Sequence, residues 1–171
     1  MEKSYLSGVI CFENKEKICK ITAILTQENF FERIILTPLS EDLPFENDSK
    51  PLHKSFAAKI IENCFCGNNG EVLHLPFVKT RFQKAVFENL RGIPCATTVS
   101  YKNIAALCGN KTAARAVGNV LKNNPLPIIY PCHRVVAANG IGGFCGNDEK
   151  RIEIKEKFLS VEKNGEKILI L

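Results

Sequence analysis

The 171-residue chain has no apolar run of membrane-spanning length, which excludes a helical membrane span. Its opening stretch, MEKSYLSGVICFENKEK, carries acids and bases on both sides of a short apolar segment and matches neither a signal peptide nor a transit sequence. Without an apolar leader, the eight cysteines do not read as a secreted disulfide framework, so reduced thiols in an intracellular, cytoplasmic protein are expected. Histidine is scarce, with three residues in all. Acids nearly vanish between residues 81 and 134, where Glu88 stands alone against eight Lys and Arg. The charge is therefore split: residues 1–78 hold 8 Lys and Arg against 11 Asp and Glu, whereas residues 79–171 hold 15 against 7. A basic segment with one acid is the footprint of a polyanion partner, a solvated basic face being the alternative.

What is present is ordinary globular composition, 45% hydrophobic and 24% charged, enough for one good core or two small ones. Residues 4–12, 18–26 and 30–37 are rich in Ile, Val, Phe and Thr between charged turns and predict an antiparallel sheet. The polar stretch 39–51 predicts a loop, after which Leu52, Phe56, Ala57, Ile60 and Ile61 recur at helical spacing. CGNNGEVLHLP predicts a turn and a further strand.

The pattern changes at Thr80. Thr80 and Gln83 form a capping box ahead of an apolar stripe, Phe82, Val86, Phe87 and Leu90, which Gly92 and Pro94 terminate. Ser100 caps a second predicted helix with Ile104 and Leu107 facing inward, stopped by Gly109. A third is predicted over 111–123, burying Ala113, Ala116, Val117, Val120 and Leu121. Two short helices about a glycine turn suggest a helix-turn-helix, although plain helix hairpins share the pattern. On the outer face of the third, Ala114 and Gly118 are small and flanked by Lys111, Arg115, Asn119 and Lys122. Small residues let a backbone approach a phosphate chain that basic neighbours neutralise. Two units are expected, 1–77 and 78–171.

PCHRVV, residues 131–136, places a cysteine and a histidine side by side in an apolar run. Leu126–Tyr130 predicts a buried strand that Pro131 ends, so Cys132 stands at its exit. A buried cysteine acting as a small hydrophobe is the plain alternative. If the pair is chemical, neighbouring residues diverge in direction, so a bridging water is the simplest link between His133 and Cys132.

VSYKNIAALCG, TAARAVGNVLKNNPLPIIYPCHRVV and the later GGF, in that order and spacing, closely resemble the methylated-DNA–protein-cysteine methyltransferases. The resemblance implies an α+β fold: an N-terminal α/β domain with a small antiparallel, ribonuclease H-like sheet, and a mainly helical C-terminal domain with a helix-turn-helix. It implies Cys132 as alkyl acceptor, His133 as base, Glu162 as its orienting partner through the Lys155-to-Glu162 spacing, Asn124 as brace of the active-site turn, and Tyr101 as donor to the leaving base. It places Arg115 in the duplex where a nucleotide rotates out. It assigns the guanine pocket to the Phe144 wall, the Cys145 amide and the Val135 carbonyl.

The partner so implied is double-stranded DNA containing alkylated guanine, met by a monomer without a cofactor and without a membrane role. Soft-nucleophile displacement at a saturated carbon suits a thiolate. Cys11, Cys19, Cys64, Cys66, His53 and His74 do not have zinc-finger spacing, so no metal is expected. A non-catalytic lesion binder of the same fold would lack Cys132. A cysteine hydrolase would need one of the distant histidines, His53 or His74.

Overall fold

In the computed structural model, which describes residues 3–28, 30–43, 49–53, 55–67, 77–145 and 148–171, the three β-branched runs form an antiparallel meander. Strands β1 (Ser4–Phe12), β2 (Lys17–Leu25) and β3 (Phe31–Thr37) pair in register Gly8↔Ile21 and Ala23↔Ile34. A two-residue β4 (Lys50–Pro51) joins β1 in parallel. Helix α1 (Phe56–Phe65), capped by Ser55, lays Ala57, Ile61 and Phe65 into the core. The spacing from Leu52 is partly misleading: Leu52 is buried ahead of the helix, and Phe56, in its first turn, is 74% exposed. The strand predicted within CGNNGEVLHLP lies outside the described residues.

The Thr80–Gln83 capping box forms as the sequence predicts and starts α2 (Arg81–Arg91), whose Val86, Phe87 and Leu90 are buried. A short β5 (Val99–Ser100) leads into α3 (Tyr101–Leu107), capped by the Ser100 hydroxyl. Helix α4 (Ala114–Lys122) packs on α3. Two expectations fail here. Leu107 is 65% exposed, and the third helix begins at Ala114 rather than Lys111. The cause of the second is local: the Asn110 carboxamide accepts from the Thr112 amide (3.1 Å) and hydroxyl (2.8 Å), a turn that competes with helix. The later start leaves Val117 and Leu121 buried and Ala116 exposed.

The predicted strand at Leu126–Tyr130 is absent; these residues are buried turns, with the Tyr130 amide bonded to the Leu126 carbonyl (2.9 Å) and Ile128 at φ 75°. Pro125, Pro127 and Pro131 bring no amide hydrogens, so no ladder can run through this segment, and its apolar character reflects burial alone. A 3-10 turn over Cys132–Arg134 follows, then β6 (Val135–Val136), parallel to β5.

Helix α5 (Glu149–Lys163), capped by Asp148, turns Ile154, Lys155, Phe158, Val161 and Glu162 inward. The chain then returns to the first sheet as β7 (Ile168–Ile170), antiparallel to β1. The fold is α+β. One apolar cluster contains residues from both halves, Ile10 and Ile61 with Leu90 and Phe158. The division at residue 77 remains a proposal about folding units. Among the described residues no helix is long and apolar enough to cross a membrane.

Closure of the sheet depends on Gly8. A Cβ there would lie 2.8 Å from the Leu171 carbonyl oxygen and 3.1 Å from Ile170 Cγ2, beside the paired Val9 and Leu171 backbones. Gly8→Ala is expected to destabilise the protein by about 1–3 kcal/mol, as for overpacking elsewhere. Urea denaturation measures this, and an unchanged midpoint would show that β7 is not pressed against β1.

Candidate active site

Pro131 starts the 3-10 turn, and the Cys132 amide donates to the Tyr130 carbonyl at 2.7 Å, which fixes the direction of the cysteine side chain. Cys132 is 4% exposed. Asn124, at the end of α4, braces the same turn: its Nδ2 donates to Tyr130 O (2.9 Å) and Cys132 Sγ (3.2 Å), and its Oδ1 accepts from the Leu126 amide (3.0 Å). The side chain of Cys145 is the main reason Cys132 is held below the ordinary thiol range. Burial opposes this, while Asn124 and the Lys155 ammonium reinforce it. Ionisation of Cys132 is thereby eased, while Cys145 is pushed well up.

Lys155 is fully buried, and its Nζ donates to the carbonyls of Val135 (2.7 Å), Ile141 (2.7 Å) and Gly143 (3.1 Å). Burial lowers it to about 8, with Cys132 and Cys145 pulling the other way. It thus ties β6 to the 141–145 loop and sits 5.9 Å from the centre of the Tyr101 ring. The Val135 carbonyl, expected to face the base, is engaged by this lysine. Tyr101 donates its hydroxyl to Gly143 O at 3.2 Å, and burial keeps it protonated.

Behind Cys132 lies a fully buried ionic cluster. Glu162 Oε1 lies 2.8 Å from His133 Nε2, and Arg134 reaches the same carboxylate at 2.8, 3.0 and 3.1 Å. The Ala96 amide adds a bond to Oε2 at 3.0 Å, and Arg134 also donates to the carbonyls of Ile93 and Phe65, both at 2.9 Å. Burial alone would raise Glu162, but His133 and Arg134 outweigh it and lower it, so the carboxylate is ionised. An ionised acceptor requires His133 to carry its proton on Nε2. Burial lowers the His133 pKa, so the ring is neutral and Nδ1 keeps a free lone pair. Nδ1 is buried with no hydrogen-bond partner among the described residues. Phe65 stacks on the ring at 5.7 Å and Phe158 meets it edge-on at 5.5 Å.

A cleft of about 660 Å³ opens onto Cys132. Of the residues singled out in the sequence, Tyr101, Ala114, Arg115, Gly118, Asn119, Lys122, Phe144 and Cys145 line it. His133, Glu162, Asn124 and Val135 stand behind its wall, and Lys111 is exposed ahead of α4, outside the lining. Sequence reasoning missed Arg134 and the three-carbonyl role of Lys155. A charged residue inside an apolar run such as PCHRVV signals a buried counter-charge, and that signal was there for Arg134. Among the described residues no group of three His, Cys, Asp or Glu side chains could hold a metal; His74 lies outside them.

Residues 81–164 match the family model described as 6-O-methylguanine DNA methyltransferase, DNA binding domain. The constitutive methylated-DNA–protein-cysteine methyltransferase of Bacillus subtilis is 42% identical over 161 residues, 92% of this chain and 90% of that protein. The methylated-DNA–protein-cysteine methyltransferase of Cricetulus griseus is 43% identical over 93 residues, 53% of this chain but 43% of the relative, so less than half of that protein's length is spanned. Among solved structures, Mycobacterium tuberculosis OGT in complex with DNA aligns with a TM-score of 0.67 at 28% identity, covering 93% of both chains. The chain belongs to the methylated-DNA–protein-cysteine methyltransferase family.

The ionic cluster sets the acid limit of stability. His133 and Glu162 both have folded pKa values below their unfolded ones, so each contributes stability that is present above the unfolded value and lost as pH falls through the folded one. Thermal stability should therefore begin to decline as pH drops below about 6.5 and fall faster below about 4.3, the unfolded values for His and Glu. Glu162→Gln, which leaves the Arg134 charge uncompensated, should cost about 3–5 kcal/mol at neutral pH. Melting curves across pH check both, and stability rising toward acid would contradict the assignment.

Proposed function

We propose that this protein repairs DNA by irreversible, stoichiometric transfer of an alkyl group from O6-alkylguanine, and from O4-alkylthymine where it occurs, to Cys132. The observation that carries the reading is a buried cysteine opening onto a cleft lined by a basic helix with small residues. Displacement at a saturated carbon needs a soft nucleophile, and the thiolate supplies it without a second reactant. The thioether that results is neutral and a poor leaving group, so the reaction ends after one turnover.

His133 Nδ1, with its lone pair free, acts through a water on the Cys132 thiol, and Glu162 holds the tautomer. Tyr101 donates to the departing base as charge develops on it. Arg115, on the exposed side of α4, occupies the stack once a nucleotide has rotated into the cleft, and rotation costs a few kcal/mol. Lys111, Asn119 and Lys122 meet phosphates, and Ala114 and Gly118 let the helix come close. Phe144 walls the pocket and the Cys145 amide meets the guanine oxygen. The protein acts as a monomer on double-stranded DNA inside the cell. A lesion-flagging binder without transfer is the second reading, and the presence of Cys132 weighs against it.

A time course with excess methylated DNA should give one burst equal to the active protein, with the methyl group on the peptide containing Cys132. Product beyond one equivalent, or label elsewhere, refutes the suicide mechanism. Arg115→Ala should slow repair of duplex DNA by about 10–100-fold, in line with a few kcal/mol of flipping cost, while leaving reaction with the free modified base nearly unchanged. Equal losses on both substrates would remove Arg115 from the flipping step.

A further inference from the structure

A second groove of about 330 Å³ adjoins the Cys132 cleft, and Lys122 and Cys145 line both. Its other walls are the edge strand β3 from Arg33 to Leu36, the loop that follows α4, and Arg151 in the first turn of α5. Two hydrogen bonds fix this seam between the N-terminal sheet and the C-terminal half. The Ile34 amide donates to the Pro125 carbonyl at 2.7 Å, and the Arg151 guanidinium donates to the Leu36 carbonyl at 2.9 Å.

Three cations from three elements line this groove, Arg33, Lys122 and Arg151, and no acid lines it among the described residues. Arg151 is partly committed, with a Glu41 carboxylate oxygen at 3.6 Å. Glu32, beside Arg33 at a register shift in β3, is taken up by Lys3 at 2.6 Å. The side chains of Arg33 and Lys122 are exposed and have no hydrogen-bond or ion-pair partner among the described residues. Charge on an edge strand also guards against pairing with another chain, but that role needs neither Lys122 nor Arg151 nearby. Like charges gathered without a counter-ion repel, and an anion seated among them relieves the repulsion.

We propose that this groove seats a backbone phosphate of the duplex that lies on α4, so that the N-terminal sheet takes part in DNA binding through Arg33. No aromatic side chain lines the groove to stack a base, which suits a phosphate rather than a whole nucleoside. Arg115 and Lys122 lie seven residues apart on α4, about 10 Å along its axis, or about three base steps of one strand. A duplex over the Cys132 cleft therefore carries phosphates past the last turn of α4, where the groove begins. Arg33 lies outside residues 81–164, the segment matching the DNA binding domain, and in the half of the chain where acids outnumber bases. The assignment rests on the proposed placement of duplex DNA along α4, and not on alkyl transfer to Cys132.

Binding of the full chain to methylated duplexes, titrated against salt, tests this. Arg33→Gln should weaken binding about threefold to tenfold, and combined with Lys122→Gln should lower the slope of log affinity against log salt by about one. Lys59→Gln, on the exposed side of α1, removes the same charge away from the groove and should bind as wild type does. The Arg33 penalty should vanish when the duplex is shortened on one side of the lesion and persist when it is shortened on the other, because the phosphate has one position. Equal binding by wild type and Arg33→Gln overturns the proposal, as does a penalty that Lys59→Gln matches or that survives shortening on either side. Loss of bound inorganic phosphate in Arg33→Gln without loss of duplex affinity assigns the groove to a free anion instead. A normal methyl-transfer burst beside unchanged Arg33→Gln binding sinks this inference alone. The Arg33 penalty in protein that transfers no methyl group supports it and contradicts the transfer reading.

Discussion

A carboxylate with no exposure to water must be paired, and the position of Glu162 therefore governs how the rest of the site is arranged. Its three hydrogen-bonding neighbours are His133 and Arg134 in the 3-10 turn and Ala96 in the loop after α2, and Arg134 extends the network to the carbonyls of Phe65, which ends α1, and Ile93, which follows α2. Satisfying one buried charge thus locks α5 against the turn that presents Cys132. Pairs of this kind add little to net stability compared with apolar packing. What they provide here is a single geometry, since any shift of the turn would strand an ion in the core.

From that geometry the chemistry divides into two halves. On the rear side, the ionised carboxylate settles the proton on His133 Nε2 and leaves the Nδ1 lone pair free. On the cleft side, Asn124, Cys145 and Lys155 stabilise a negative sulfur against the burial that would otherwise neutralise it. Lys155 serves both, because the three carbonyls it binds hold β6 and the 141–145 loop at the distance the cleft requires. The lysine takes little part in the helix surface despite lying on an otherwise charged helix, and its burial is the main cause of its lowered pKa.

Features set by near neighbours were legible in the sequence. The Thr80–Gln83 box, the Ser100 cap and the three β-branched strands need only residues a few positions apart, and they form as expected. The Cys132, His133 and Glu162 constellation was legible through a resemblance, and the contact between His133 and Glu162 exists although 29 positions separate them. Arg134 escaped notice because its partners lie 28, 41 and 69 positions away, and no local pattern encodes them. Leu126–Tyr130 misled for a different reason: burial on all sides gives an apolar run whatever the backbone does, and the flanking prolines outweighed it. Leu107 followed helical spacing but falls at the end of a seven-residue helix, where the stripe has already turned toward water.

The account depends on a buried cysteine carrying charge. Ultraviolet thiolate absorbance titrated against pH, with Cys132→Ser subtracted from wild type, measures that ionisation directly. A midpoint for Cys132 below the ordinary free-thiol value of about 8.5 is the predicted result. A midpoint at or above that value would show that burial prevails over Asn124, Cys145 and Lys155, and that Cys132 rests as a neutral thiol.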